Sequence, residues 1–239
     1  MKIKYKKIIL LVTMSIMGIG LLTFSIGNDK SEAKENFGKD KVKEASAQSG
    51  TKDKDITPTV TEIPSPTPLP VYNIEEGAYP EIKELFINYY KAKNSHDVST
   101  IKKLLSNPSK VESESEMKKK TEYIESYKKI KTYTKKSFIE GTYIVYVYHE
   151  IKFTGIKTAA PGLSKFYLVT GQDGKLKIFS DEMDDTIKAY YNERNEDKDV
   201  KTLIELTNKH SEEAIAKDKD LKTFWKKIDK LASKSDTKA

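Results

Sequence analysis

The chain reads as an α+β protein, with helices first, strands next and helices again. Two changes in hydrophobic spacing predict this. Between residues 80 and 130 apolar side chains recur every three or four positions, and between 133 and 180 they alternate. After residue 182 the helical spacing returns. Ahead of all this stand an apolar, charge-free run and a polar stretch too poor in apolar residues to build a core. The folded part is therefore expected to begin at Pro80.

Pro80 suits the first turn of a helix, where its missing N–H costs nothing. Ile82, Leu85, Phe86, Tyr89 and Tyr90 give that helix one apolar face, and Asn94 and Ser95 end it. Asp97 caps a short second helix carrying Ile101, Leu104 and Leu105, stopped at Asn107-Pro108. Ser113 and Glu116 have capping-box spacing, and a third helix is expected to carry Met117, Ile124, Tyr127 and Ile130 on one side.

Four strands follow, over 133–139, 142–153, about 163–170 and 175–180. In the second, Tyr143, Val145, Val147, His149, Ile151 and Phe153 share one face, with Ile144, Tyr146 and Tyr148 on the other. Asp173-Gly174 signals a hairpin, and Gly162 and Gly171 also read as turn glycines. The central strands are apolar on both faces, so the sheet needs two covers. Three helical stripes over 182–233 can supply the second: Met183 to Tyr191, Val200 to Leu206, and Leu221 to Leu231 behind an Asp220 cap. They are expected on the Tyr146/Tyr148 side, with pairing to another chain as the rival arrangement.

The N-terminus carries the address. Lys2, Lys4, Lys6 and Lys7 precede a run without charges over 8–27, long enough to cross a bilayer as a helix. Positive charge on one flank predicts a cytoplasmic tail of residues 1–7 and an extracytoplasmic remainder. The length favours a retained anchor. Cleavage near Ser31-Glu32-Ala33 is the alternative and would make the protein secreted. Residues 28–79 read as a disordered linker. Within it Pro58, Pro64, Pro66, Pro68 and Pro70, interleaved with Ser and Thr, form an extended spacer. The folded domain is expected over 80–181, followed by C-terminal amphipathic helices.

Net charge is +7, but the lysines alternate with acids and Arg194 is the single arginine. That pattern is a solvated surface rather than a nucleic-acid stripe, since arginine is the usual residue for phosphate and guanine contacts. Cysteine is absent, which removes disulfides, thiol chemistry and attachment of lipid through cysteine.

Three helices followed by a curved, four-stranded antiparallel sheet resemble the NTF2-like (cystatin-like) fold. A nearer likeness lies in the run from Lys152 through Phe153-Thr154-Gly155 to Pro161-Gly162, in Tyr133-Thr134-Lys135-Lys136, and in Ala214-Ile215-Ala216-Lys217-Asp218 with Leu221-Lys222. These resemble segments of uncharacterised membrane-anchored surface proteins of clostridium-type Gram-positive bacteria. The resemblance implies an extracytoplasmic domain and names no reaction. Some relatives add an SH3-like wall-binding module, which this sequence does not show.

The catalytic inventory is thin. His96, His149 and His210 have no metal-ligand spacing, and no nucleotide-binding loop or serine-hydrolase elbow occurs. No cofactor or metal is expected. The candidates for acid–base work are His149, on a strand face, and Asp181, in the acidic run 180–185. That run also suits a first helical turn. The candidates for ligand contact are Tyr143, Tyr146, Tyr148 and Tyr167, which equally make ordinary strand cores. The expected function is a membrane-tethered, non-catalytic binding or scaffolding module of the cell envelope, with an envelope protein or glycan as partner and no nucleic acid. The alternative is a pocket enzyme using His149 and Asp181. Ligand identity and oligomeric state are not encoded legibly.

Overall fold

The computed structural model describes residues 68–235, with side chains to residue 228. The expected tail, membrane segment and linker up to residue 67 lie outside the described residues. Among the described residues, no helix is long and apolar enough to cross a membrane.

The elements run β1 (Glu75–Glu76), α1 (Pro80–Ser95), α2 (Val98–Leu104), a 3-10 turn (Pro108–Lys110), α3 (Glu114–Thr121), β2 (Ile124–Lys136), β3 (Tyr143–Phe153), β4 (Ala160–Thr170), β5 (Leu176–Ile178), α4 (Asp185–Glu193), α5 (Lys198–Lys217) and α6 (Lys219–Ser235). The described part is thus α+β, with six α-helices and one open antiparallel sheet in the order β1-β2-β3-β4-β5.

Several boundaries follow the local chemistry read from the sequence. Pro80 opens α1. His96 closes it in the left-handed conformation (φ 56°), letting Asp97 N–H reach the Ala92 carbonyl at 2.8 Å. Asp97 Oδ1 accepts from Thr100 N–H, which fixes the start of α2. Ser113 and Glu116 form the reciprocal capping box of α3. Asp184 caps α4 through Ile187 N–H at 2.8 Å. The cap of α6, however, is Asp218, not Asp220. Its Oδ1 accepts from Leu221 N–H at 3.1 Å, and its Oδ2 accepts from Thr158 N–H at 2.9 Å.

β3 alternates without interruption, so its two faces go to different layers. On the front, Val145 and Val147 pack with Phe166, Leu168 and Ile178 against Ile82, Phe86, Tyr89 and Tyr90 of α1. On the back, Ile144, Tyr146, Leu163 and Tyr167 pack against Tyr190 of α4 and Val200 and Leu203 of α5. Burying each large apolar side chain contributes roughly 1.5–3 kcal/mol, which is why a sheet apolar on both faces recruits both layers. The back cover matches the expected Tyr146/Tyr148 side. α6 does not. Its Leu221 and Trp225 pack with Ile151 and Phe153, which belong to the front face of β3.

Three further expectations are corrected. The third helix stops at Thr121, and Ile124, Tyr127 and Ile130 lie in β2, not on a helix. Two bulges explain the misleading spacing. One extra residue is inserted between Ile124 and Ser126, and another between Lys128 and Lys131, where Lys129 has φ 51°. Each insertion adds a residue to one strand without a partner, so apolar residues three apart return to the same face. Gly162 is not a turn glycine. It lies inside β4 opposite His149, where a Cβ would stand 3.0 Å from the imidazole Nε2. Finally, the disordered linker expected over 28–79 ends before residue 79. Glu75 and Glu76 pair with Thr134 and Tyr133 at the edge of β2, and Gly77 N–H donates to the Thr132 carbonyl at 2.9 Å. Residues 70–79 therefore form a strap held on the fold.

Candidate functional site

The front layer encloses a polar group around His149. The imidazole is fully buried, with its ring 5.1 Å from Tyr90 and 6.0 Å from Tyr127. Nδ1 lies 3.3 Å from the Tyr90 hydroxyl and 3.2 Å from the Val147 carbonyl. The carbonyl can only accept, whereas the hydroxyl can take either role. Nε2 has no hydrogen-bond partner, and neither do the buried Tyr127 hydroxyl, Thr132 Oγ1 or Ser164 Oγ. Burial pushes the imidazole down to about 4 and raises the Tyr90 and Tyr127 hydroxyls. At neutral pH this is an uncharged cluster closed off from water, and proton exchange with a substrate would need an opening.

Asp181 belongs to a different neighbourhood. Its Oδ1 accepts from Asn107 Nδ2 at 2.6 Å, and its Oδ2 lies 3.5 Å from Ser106 Oγ. No partner is common to Asp181 and His149, and β4 stands between the β3 of one and the β5 preceding the other. The structure does not bring the candidate acid–base pair together.

The four candidate tyrosines also diverge. Tyr143 is on the front, its ring 5.3 Å from Tyr79. The other three are on the back, each with its hydroxyl engaged. Tyr146 donates to Asn195 Oδ1 at 3.2 Å, Tyr148 to Glu150 Oε1 at 3.1 Å, and Tyr167 to Thr142 Oγ1 at 3.0 Å. Of the remaining histidines, His96 closes α1 with its Nε2 2.8 Å from Thr121 Oγ1, and the His210 ring lies 6.4 Å from that of Tyr148. Among the described residues, no group of three His, Cys, Asp or Glu side chains could hold a metal ion.

The front cover α1 buries one cation, Lys93, whose Nζ lies 3.8 Å from Glu112 Oε2; the back layer holds a larger network of charge. Lys135 of β2 is 1 % exposed. Its Nζ lies 2.8 Å from Asp197 Oδ2 and 2.8 Å from Asp199 Oδ1. Arg194 Nε reaches the same Asp197 oxygen at 3.5 Å, and the guanidinium lies 4.4 Å over the Tyr190 ring. Asp199 Oδ2 also accepts from Ile74 N–H at 2.7 Å, which ties the strap to this network. Tyr190 makes a second tie, donating to the Pro70 carbonyl at 2.8 Å. Burial works to raise the Asp199 carboxyl, yet the Lys135 ammonium and the Ile74 and Val200 N–H groups hold it below its ordinary value.

Lys165 lies close by. Its amine is enclosed by the rings of Tyr191 (3.9 Å) and Tyr146 (5.3 Å), and donates to the Tyr191 carbonyl and to Asn195 Oδ1. Burial, with Arg194 nearby, drives it well below the lysine range. Lys135 and Arg194 face Asp197 and Asp199, two cations against two anions.

Between the strap and the first turn of α5 lies an open cleft of about 570 Å³. It is lined by Val71, Tyr72, Asn73, Lys135, Asp197, Lys198, Asp199 and Thr202. Lys135 and Asp199 are fixed by the contacts above. The Tyr72 hydroxyl, Asn73 amide and Lys198 ammonium make no hydrogen bond among the described residues. Sequence reasoning missed this place entirely. One signal was available nearby: Lys165 interrupts a strand that is otherwise largely apolar, whereas Lys135 stands among other lysines of β2 and gave none. Nothing in the sequence paired them with Asp197 and Asp199, and the strap residues were assigned to a linker.

Two of the segments that carry the sequence resemblance, 152–162 and 214–222, meet in space, whereas 133–136 lies elsewhere on the sheet. Ile156 and Ala160 pack with Ala214, Ile215 and Leu221, and Asp218 accepts from Thr158 N–H. Comparison with family models, curated proteins and solved structures finds no match.

Proposed function

We propose that this protein is a membrane-tethered, extracytoplasmic binding or scaffolding module of the cell envelope, built on an NTF2-like domain. The N-terminal segment 8–27 serves as its transmembrane anchor and the Ser/Thr/Pro-rich stretch as its linker. One observation carries the binding class over the enzyme class. The buried histidine, the residue best suited to acid–base work, is fully enclosed and shares no partner with Asp181, while the open cleft on the other layer presents polar groups without a hydrogen bond among the described residues. A binding module needs accessible, unspent polar groups on a rigid support, and it does not need a titrating base. The charge-free run with its four preceding lysines supports the tethered address.

The test has two arms on the full chain. Protease added to intact spheroplasts is expected to remove a C-terminal epitope without lysis. Cross-linking in whole cells is expected to join the chain to an envelope component, and to fail when residues 68–235 are deleted and the anchor and linker kept. An epitope protected until lysis overturns the address, and cross-linking that survives the deletion overturns the role of the domain.

A further inference from the structure

We infer that the cleft between the strap and the first turn of α5 is a saccharide-binding site for an uncharged glycan, with Tyr72 as the surface on which a sugar ring rests. This rests on the binding-module reading and gives that reading a ligand class.

The charge of the lining sets the class. Lys135 and Lys198 face Asp197 and Asp199 in the lining, and with Arg194, which reaches Asp197 from outside it, the surroundings carry one excess positive charge, too little for a strong field toward a polyanion. Such a wall suits a neutral ligand rich in hydroxyl groups, because each hydroxyl both donates and accepts. Tyr72 supplies the apolar part. Its side chain is 39 % exposed and makes no hydrogen bond among the described residues, and Val71 beside it is 57 % exposed. The face of a pyranose ring is a patch of C–H groups, and an exposed aromatic ring offers flat area to it at little entropic cost. The volume of about 570 Å³ falls within the roughly 300–1,000 Å³ of small-molecule sites, and its open side leaves room for a polymer to continue.

The support is as suitable as the lining. Lys135 is locked between the two aspartates, and Asp199 holds the strap through Ile74 N–H. Tyr190 pins Pro70, and β1 pairs with the edge of β2. Tyr72 and Asn73 thus sit between two anchored points, Pro70 and Ile74, and arrive pre-positioned. The polar groups left over at the rim are the Asn73 amide, the Lys198 ammonium and the Tyr72 hydroxyl.

Full-length protein in detergent micelles, titrated with chitotetraose and followed by saturation-transfer NMR, provides the test. The expected result is transfer to ring protons of the sugar and weak but saturable binding. Tyr72→Ala should weaken binding about tenfold or more, and Tyr72→Phe should retain most of it. Tyr123→Ala, at an exposed ring outside the cleft, should leave binding unchanged. Thermal melting of each variant controls for folding. Asn73→Ala, on a side chain without a structural contact, gives a second loss of binding that cannot be ascribed to unfolding. Absence of transfer to chitotetraose, equal binding by Tyr72→Ala, or transfer to heparin in its place would overturn the inference. None of these results bears on the spheroplast experiment, so the site can fail while the tethered reading stands, and the reverse.

Discussion

The two layers over this sheet solve the burial of polar groups in opposite ways. In front, His149, Tyr90, Tyr127, Thr132 and Ser164 are buried as neutral groups, and four of their polar atoms have no partner. Behind, buried Lys135 and Arg194 meet the half-buried Asp197 and Asp199 as ion pairs, although Arg194 Nε and Nη1 and Asp197 Oδ2 make no hydrogen bond among the described residues. The front keeps mostly neutral groups around His149, with Lys93 and Glu112 as its ion pair. The back keeps charge, and with it a cleft. A neutral group without a partner costs about 1–3 kcal/mol, whereas an ion without one costs more, so the ions of the back layer depend on their partners more than the neutral groups around His149 do. The difference separates a layer built for packing from one able to present polar chemistry to a ligand.

The largest expected effect tests the front as packing. Phe86 is fully buried with its ring 4.6 Å from Phe166. Phe86→Ala should cost about 3–5 kcal/mol in urea unfolding, through lost transfer energy and an unfilled cavity. A cost below about 1 kcal/mol would mean that the α1–sheet contact is not the core.

The second test uses pH. The folded His149 pKa of about 4 lies below the ordinary histidine value of 6.5, so on acidification the unfolded chain takes up the proton first. Stability associated with His149 is therefore complete above pH 6.5 and is lost as pH falls from 6.5 toward about 4. The full loss amounts to about 3 kcal/mol. His149→Phe should flatten the melting temperature across this window. An unchanged slope in the variant would show that the imidazole is not sealed.

The third sets ion against ion. Lys135→Met strands Asp197 and Asp199 side by side and should cost about 3 kcal/mol. Lys165→Met should cost less, because burial disfavours the charged form of that amine and the methionine keeps packing between the Tyr146 and Tyr191 rings. Equal losses at the two lysines would mean that the carboxylates do not single out Lys135.

This contrast also explains what could be read in advance. Periodicity exposed the order of elements, the two-sided β3 and most caps, because those are local. It failed where a tertiary event changes the local pattern. The bulges beside Glu125 and Lys129 gave a strand the spacing of a helix, so Ile124, Tyr127 and Ile130 were placed in the wrong element. Residues 70–79 look like linker because their binding comes from contacts with other segments. Pro70 is held by Tyr190, 120 positions away, and Ile74 by Asp199, 125 positions away. His149 was legible as a candidate, since an imidazole among valines stands out. The cleft was not, because three of its eight lining residues, Val71, Tyr72 and Asn73, came from a stretch without any apolar period.

The smallest expected effect probes the strap alone. Tyr190→Phe keeps the ring that packs on Phe138 at 4.8 Å and under Arg194, and removes only the hydroxyl that donates to Pro70. One neutral hydrogen bond contributes about 0.5–1.5 kcal/mol, so global unfolding should shift by no more than that. The local consequence should be larger in relative terms, because few contacts hold residues 70–74. Hydrogen exchange at the Ile74 amide, which donates to Asp199, should accelerate while amides in the center of β3 keep their protection. If β3 and the strap accelerate together, the strap is part of the cooperative core and the two layers unfold as one. If only the strap responds, the chain enters the folded domain through its least stable element, beside the cleft that Tyr72 and Asn73 line.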